Sequence, residues 1–277
     1  MDKFQEKEII KKVVKAWDDA VKPYVDRYTV PIWAVHGNKR FQLGTGITFA
    51  VADEHFLVTA RHVSDRVKNR GCQLYISDNS PEGSKAFLLD GEVHMALNDG
   101  YDVSLIVLSP KQASQLAHFS FLRLSDIDFG QEPLEMGIYY VSGYPGEWNE
   151  VPKEGGELTP EGIFYSTHLE PPSTDYDSLQ DYRRDVHILL VYSEGAPDWH
   201  GISGCGIWRA WQPEKKKYPP ELEQVKLVAV ETCFYEKSKL IRGTRWAVVL
   251  ELLIKTCPYL RRPIEVHTGP LKIDSAS

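Results

Sequence analysis

The chain has 277 residues, 42% hydrophobic and 26% charged, with 17 Pro and 20 Gly, which excludes disordered and fibrous classes and fits a globular protein rich in turns. Its 32 Lys+Arg against 39 Asp+Glu leave a formal net charge of -7, which argues against nucleic acid or an anionic membrane as partner. No window approaches the ~18 uninterrupted apolar residues of a membrane span, and the first twenty residues mix both charge signs without a secretory pattern, so a cytoplasmic protein is expected.

Ile10, Val14, Trp17 and Val21 stand four, three and four residues apart, one face of an amphipathic helix over 3–22 that Pro23 is predicted to stop. This helix forms an N-terminal extension over 1–26 that packs its apolar stripe on the body. After it come short runs rich in Val, Ile, Thr and aromatics, divided by Gly, Asp, Asn and Pro: "TVPIWAVHG", "GTGITFAVA", "HFLVTA", "CQLYIS", "EVHMAL" and "VSLIVL". They predict antiparallel strands in a first half over 27–130. "SPKQASQLAHFSFLRLSDIDFGQEPLEMG" reads as a turn or short helix, a strand fragment and a polar crossing, and the halves meet near 126–136.

The second half, 131–257, continues with "IYYVSGYP", "EGIFYSTHLE", "DVHILLVYSE", "GCGIWRAW", "QVKLVAVETCFYE" and "GTRWAVVLELLI". Between its second and third runs, "PPSTDYDSLQDYRR" is a polar loop or hairpin tip, while "EKKKYPPE" is a basic surface turn. The tail over 258–277 has weak periodicity and is expected to be partly disordered. About a dozen short strands suggest two packed β-barrels or a sandwich with a helix in front. Cys72, Cys205, Cys233 and Cys257 include no CxxC pair, so reduced buried thiols are expected, with no disulfide framework, metal or cofactor.

Three short stretches carry candidate chemistry. In "LVTARHV" a histidine, His62, follows an apolar run at the mouth of the core, and "GTGITFAV" offers the strand that would pair with that run. Forty residues on, "YDVSLIVL" sets Asp102 directly before another apolar run; a part-buried carboxylate there needs a donor, and an imidazole is one. Asp99 competes, but it sits with Gly100 in the turn, whereas Asp102 touches the strand. In "HGISGCGIW", Ser203 has Gly201 two residues before it and Gly204 after it, which gives an acyl-transfer nucleophile little bulk around it. The Gly201 and Ser203 N–H groups are then candidates to bind an oxyanion. His200 reads as a loop residue.

These stretches resemble the trypsin-like (chymotrypsin-fold) serine peptidases, especially the bacterial branch without structural disulfides. The resemblance covers roughly residues 28–255 and runs through "GTGITFAV", "LVTARHV", "DVSLIVL", "SGYPGE", "GISGCG" and "GTRWAVVL" as the last strand. It implies an all-β fold of two six-stranded antiparallel β-barrels with an added N-terminal helix, and a serine endopeptidase acting through His62, Asp102 and Ser203. Gly201 and Ser203 would form the oxyanion hole, Thr232, Cys233 and Phe234 the strand that pairs with substrate, and Asp198 a specificity residue. Arg61 and Ser104 stand where the family usually has alanine, and Ile202, Cys205 and Gly206 replace Asp or Asn, Gly and Pro. The implied partners are a peptide or protein substrate and a regulatory protein. The alternative is a catalytically silent or partner-gated module of the same fold that binds a protein ligand.

Overall fold

A computed structural model describes residues 3–37, 39–70, 72–77, 86–96, 99–129, 137–146, 160–171, 173–192, 201–211 and 222–270. Helix α1 (Lys3–Asp26) runs through Pro23 instead of stopping before it. The missing N–H costs one helical hydrogen bond, but Pro23 lies on the exposed side, while Val21 and Val25 are fully buried beside Tyr24 and Tyr28. Burial of that stripe outweighs the lost bond and carries the helix one turn further.

The first sheet is built from β1 (Thr29–His36), β2 (Lys39–Val51), β3 (Glu54–Ala60), β4 (Gln73–Ser77), β5 (Ala86–Leu88), β6 (Glu92–Met95) and β7 (Val103–Leu108). Their order is β5-β4-β1-β2-β3-β7-β6 and every pairing is antiparallel. The second sheet contains β8 (Ile138–Gly143), β9 (Ile163–Thr167), β10 (His187–Val191), β11 (Gly206–Ala210), β12 (Val225–Tyr235) and β13 (Leu240–Arg245), ordered β10-β13-β12-β11-β8-β9. The two sheets curl into half-barrels of seven and six strands, where the sequence predicts six and six. The seventh strand comes from two very short edge pieces, β5 and β6, of three and four residues.

Four helices join these strands. Helix α2 (Arg61–Arg70) starts directly after β3, and α3 (Pro110–Gln115) is the short helix foreseen in "SPKQASQ", capped by Ser109 and Gln112 in a reciprocal box. The predicted last strand "GTRWAVVLELLI" divides: β13 stops at Arg245 and α4 (Trp246–Thr256) takes over. Trp246, Val249, Leu250, Leu253 and Ile254 are buried at helical spacing, which a continuous apolar run hides from a periodicity test. The tail expected to be partly disordered instead forms α5 (Arg261–Thr268), anchored by buried Leu260 and Ile264. Residues 271–277 lie outside the described residues.

The buried apolar side chains of the described residues form three clusters. One fills the first half-barrel around Ile32, Leu57 and Ile106, and one fills the second around Tyr139, Ile188 and Ile207. The third lies between them, where α1 and α4 pack with Phe49, Phe56 and Trp208. The N-terminal helix is therefore part of the joint between the sheets. No described helix is long and apolar enough to cross a membrane, and no described cluster of His, Cys, Asp or Glu could hold a metal ion.

Candidate active site

The β3–β7 register pairs Ala60 with Val103. The next residues outward are Arg61–His62 on one chain and Asp102 on the other, so antiparallel pairing alone brings His62 and Asp102 together across 40 residues of sequence. Asp102 adopts φ 47, a left-handed backbone that Asp tolerates better than most side chains. In that conformation its backbone carbonyl accepts the Arg61 N–H at 3.0 Å. Its carboxylate accepts the His62 N–H at 3.0 Å and lies 2.9 Å from His62 Nδ1. One acid thus caps the first turn of α2 and fixes the imidazole that the helix carries.

His62 is pulled in opposing directions. Burial alone would lower its pKa, but the Asp102 hydrogen bond and charge, joined by Glu231, leave it above the ordinary histidine value. The Asp102 turn is braced from the second sheet: Thr244 Oγ1 donates to the Tyr101 carbonyl at 2.7 Å, and Arg242 Nη2 stands 3.8 Å from Asp102 Oδ2. His187 adds a third brace. Its Nδ1 accepts the Arg183 N–H at 3.0 Å, so Nε2 carries the proton and donates to the Gly100 carbonyl at 3.1 Å. Burial, with Arg242 second, pushes the pKa of this histidine down to about 4 and keeps it neutral.

Ser203 sits between two glycines with φ +93, Gly201 and Gly204. A Cβ on Gly204 would lie 2.2 Å from both the Thr45 carbonyl and Thr59 Oγ1, and one on Gly201 would lie 2.3 Å from the Gly146 nitrogen. Both positions therefore need glycine for backbone conformation and for space. The turn is tied to both sheets. Thr45 N–H donates to the Ser203 carbonyl at 2.9 Å, and Gly204 N–H donates to the Glu231 carbonyl at 2.9 Å. Ile202, in place of a polar family residue, is fully buried in the second core beside Cys205 and anchors the turn by burial. Among the described residues, the Gly201 and Ser203 N–H groups donate to no protein acceptor, the state an oxyanion hole requires.

His62, Asp102 and Ser203 line one cleft of about 710 Å³. No hydrogen bond joins Ser203 Oγ to His62 among the described residues, so the two share the cleft without being locked together. Thr232, Cys233 and Phe234 line the same cleft. β11 leaves β12 after Val230, whereas β13 stays paired to Tyr235, so this end of β12 borders the opening. Asp198 and His200 lie outside the described residues. Cys205 is an unsuitable nucleophile, since complete burial holds its thiol well above the ordinary cysteine value.

The other departures from the family pattern have visible contacts. Ser104 Oγ accepts from Ser64 Oγ at 3.0 Å, while Arg61 donates to the Ala96 carbonyl at 3.3 Å and pairs with Asp65 at 3.4 Å, so both stiffen α2 behind His62. Sequence reasoning missed Thr45, Glu231, Arg242 and His187. Only Thr45 had a signal, the flanking glycines of "GTG". Gly44 leaves room for the Ser203 carbonyl, 2.9 Å from where a Cβ would stand.

No protein-family model matches the chain, and no curated protein sequence does. Solved structures do, 544 chains in all. One is the scabies mite inactivated protease paralogue S-I1, with TM-score 0.53 and 15% identity over 84% of this chain and 96% of that one. The fold is chymotrypsin-like. Another match comes from work on the intrinsically disordered Sesbania mosaic virus VPg protein, with TM-score 0.45 and 16% identity over 80% of this chain and 87% of that one.

Proposed function

We propose that the chain is a serine endopeptidase. Ser203 Oγ attacks the peptide carbonyl carbon while His62 takes its proton, and Asp102 holds the imidazole tautomer and stabilises the imidazolium. The Gly201 and Ser203 N–H groups receive the oxyanion. His62 then returns the proton to the leaving amine, and water, deprotonated by the same ring, releases the acyl group and regenerates Ser203. Substrate lies along Thr232–Phe234 in an extended conformation, adding a strand beside β12.

The observation that carries this reading is the His62–Asp102 pair at 2.9 Å opening into the cleft that Ser203 also lines. The fold alone carries nothing here, because the mite paralogue is an inactivated protease. That likeness, with no Ser203–His62 hydrogen bond in this state, supports a second reading: a partner-binding or partner-gated module whose serine approaches His62 only in a complex.

An active-site serine probe such as a fluorophosphonate separates the two. The peptidase reading expects labelling of the full chain that is lost in Ser203→Ala and in His62→Ala, both with wild-type unfolding curves. Labelling that survives in Ser203→Ala excludes the mechanism. Labelling that appears only when a protein partner is added establishes the gated form.

A further inference from the structure

One buried acid beside the cleft has no part in this scheme. Glu231 is 2% exposed. Its backbone is clamped to the serine turn, donating its N–H to the Cys205 carbonyl at 2.8 Å and accepting the Gly204 N–H at 2.9 Å. One carboxylate oxygen, Oε2, is buried without a hydrogen-bond partner among the described residues. A lone ionised carboxylate in such a place is costly unless a cation faces it.

The groups facing it are His62 from α2, Arg242 from β13, Asp102 from the turn before β7, and the Cys205 and Cys233 thiols. Arg242 is already engaged: Nε donates to Thr232 Oγ1 at 3.2 Å, and Nη1 donates to the Asp181 carbonyl at 3.3 Å and the Tyr235 hydroxyl at 3.4 Å. His62 is then the one titrating cation in that set. Burial drives the Glu231 carboxyl upward, His62 opposes this, Asp102 adds to it and Arg242 opposes it, for a pKa of about 7.

We propose that Glu231 is a positioning residue for His62: a second acid beside the His62–Asp102 pair whose charge state is exchanged with that of the imidazole. When His62 takes a proton, the ionised form of Glu231 is favoured. When His62 is neutral, Glu231 holds its own proton and the pocket avoids two adjacent buried anions. The catalytic meaning of this coupling rests on the peptidase reading, since it concerns the base that reading assigns.

The test follows the His62 ring nitrogens by NMR across pH in the full-length protein, with and without Glu231→Gln, which keeps the shape and removes the charge. The expected result is a lower His62 midpoint in Glu231→Gln and its restoration in Glu231→Asp. The acid limb of the fluorophosphonate labelling rate should move to lower pH with it. An unchanged His62 midpoint overturns the proposal, because a merely structural role would alter stability and leave the titration where it was. Should Glu231→Gln fail to fold, the wild type suffices: the Glu231 carboxyl and His62 ring signals must share a two-step titration, and independent single steps refute the coupling. The NMR result stands apart from the peptidase reading, which a wild-type chain that is never labelled would sink by itself.

Discussion

Gly201→Ala tests the site at the point where conformation and space are both exhausted. At φ +93 the backbone is in a region that alanine enters at a cost of about 1–2 kcal/mol. The new Cβ would also stand 2.3 Å from the Gly146 nitrogen and 2.7 Å from its Cα. These neighbours are backbone atoms, so no side chain can rotate aside. The turn itself has to move, and Gly201 N–H moves with it. Loss of one oxyanion donor costs about 2.7–4 kcal/mol, or 10²–10³ in rate. The assay measures fluorophosphonate labelling and ester hydrolysis together with urea unfolding. Gly269→Ala is the control, because Gly269 has φ +74 but nothing within 4 Å of its added Cβ. It should lose comparable conformational stability and no rate. Wild-type turnover in Gly201→Ala would refute the assignment of its N–H to the oxyanion.

Two more outcomes follow from the surrounding contacts. Asp102→Asn keeps a side chain suited to φ 47 and an acceptor for the His62 N–H, so the fold should stand while turnover falls about 10⁴-fold; undiminished turnover would return the orienting role to Asp99. His187 is held neutral, with a folded pKa of about 4 against an ordinary 6.5. The folded state therefore binds fewer protons than the unfolded state between those values, and this stability is full above 6.5 and lost as pH falls towards 4. The gap corresponds to about 3 kcal/mol, so His187→Gln should lose less stability than wild type between pH 7 and pH 4 in denaturant titrations, and parallel losses would contradict this.

What the sequence disclosed divides along physical lines. Strands such as "HFLVTA" and "VSLIVL" announce themselves through β-branched content, and His62 with Asp102 was legible because both lie just past the ends of strands that pair directly. Local patterns fail where a segment is decided by what packs on it. The polar run 61–70 has no apolar stripe strong enough to declare α2, and the uniform apolar run in α4 fits strand and helix equally. Glu231 reads as the polar end of a strand, since its burial arises only when the serine turn folds over β12 and α2 closes the other side.

The same division runs through the site. The His62–Asp102 pair belongs to a single sheet, held by its own ladder, and needs nothing from the second half to form. Ser203 belongs to both sheets, because its turn is hung from Thr45 of β2 on one side and from Glu231 of β12 on the other. Any relative movement of the half-barrels therefore leaves the base and its acid intact and changes only the approach of the nucleophile. Fusion of the halves by α1 and α4 through the shared apolar cluster restrains that movement. The helices flanking the barrels thereby act on the one distance in the site that strand pairing does not fix.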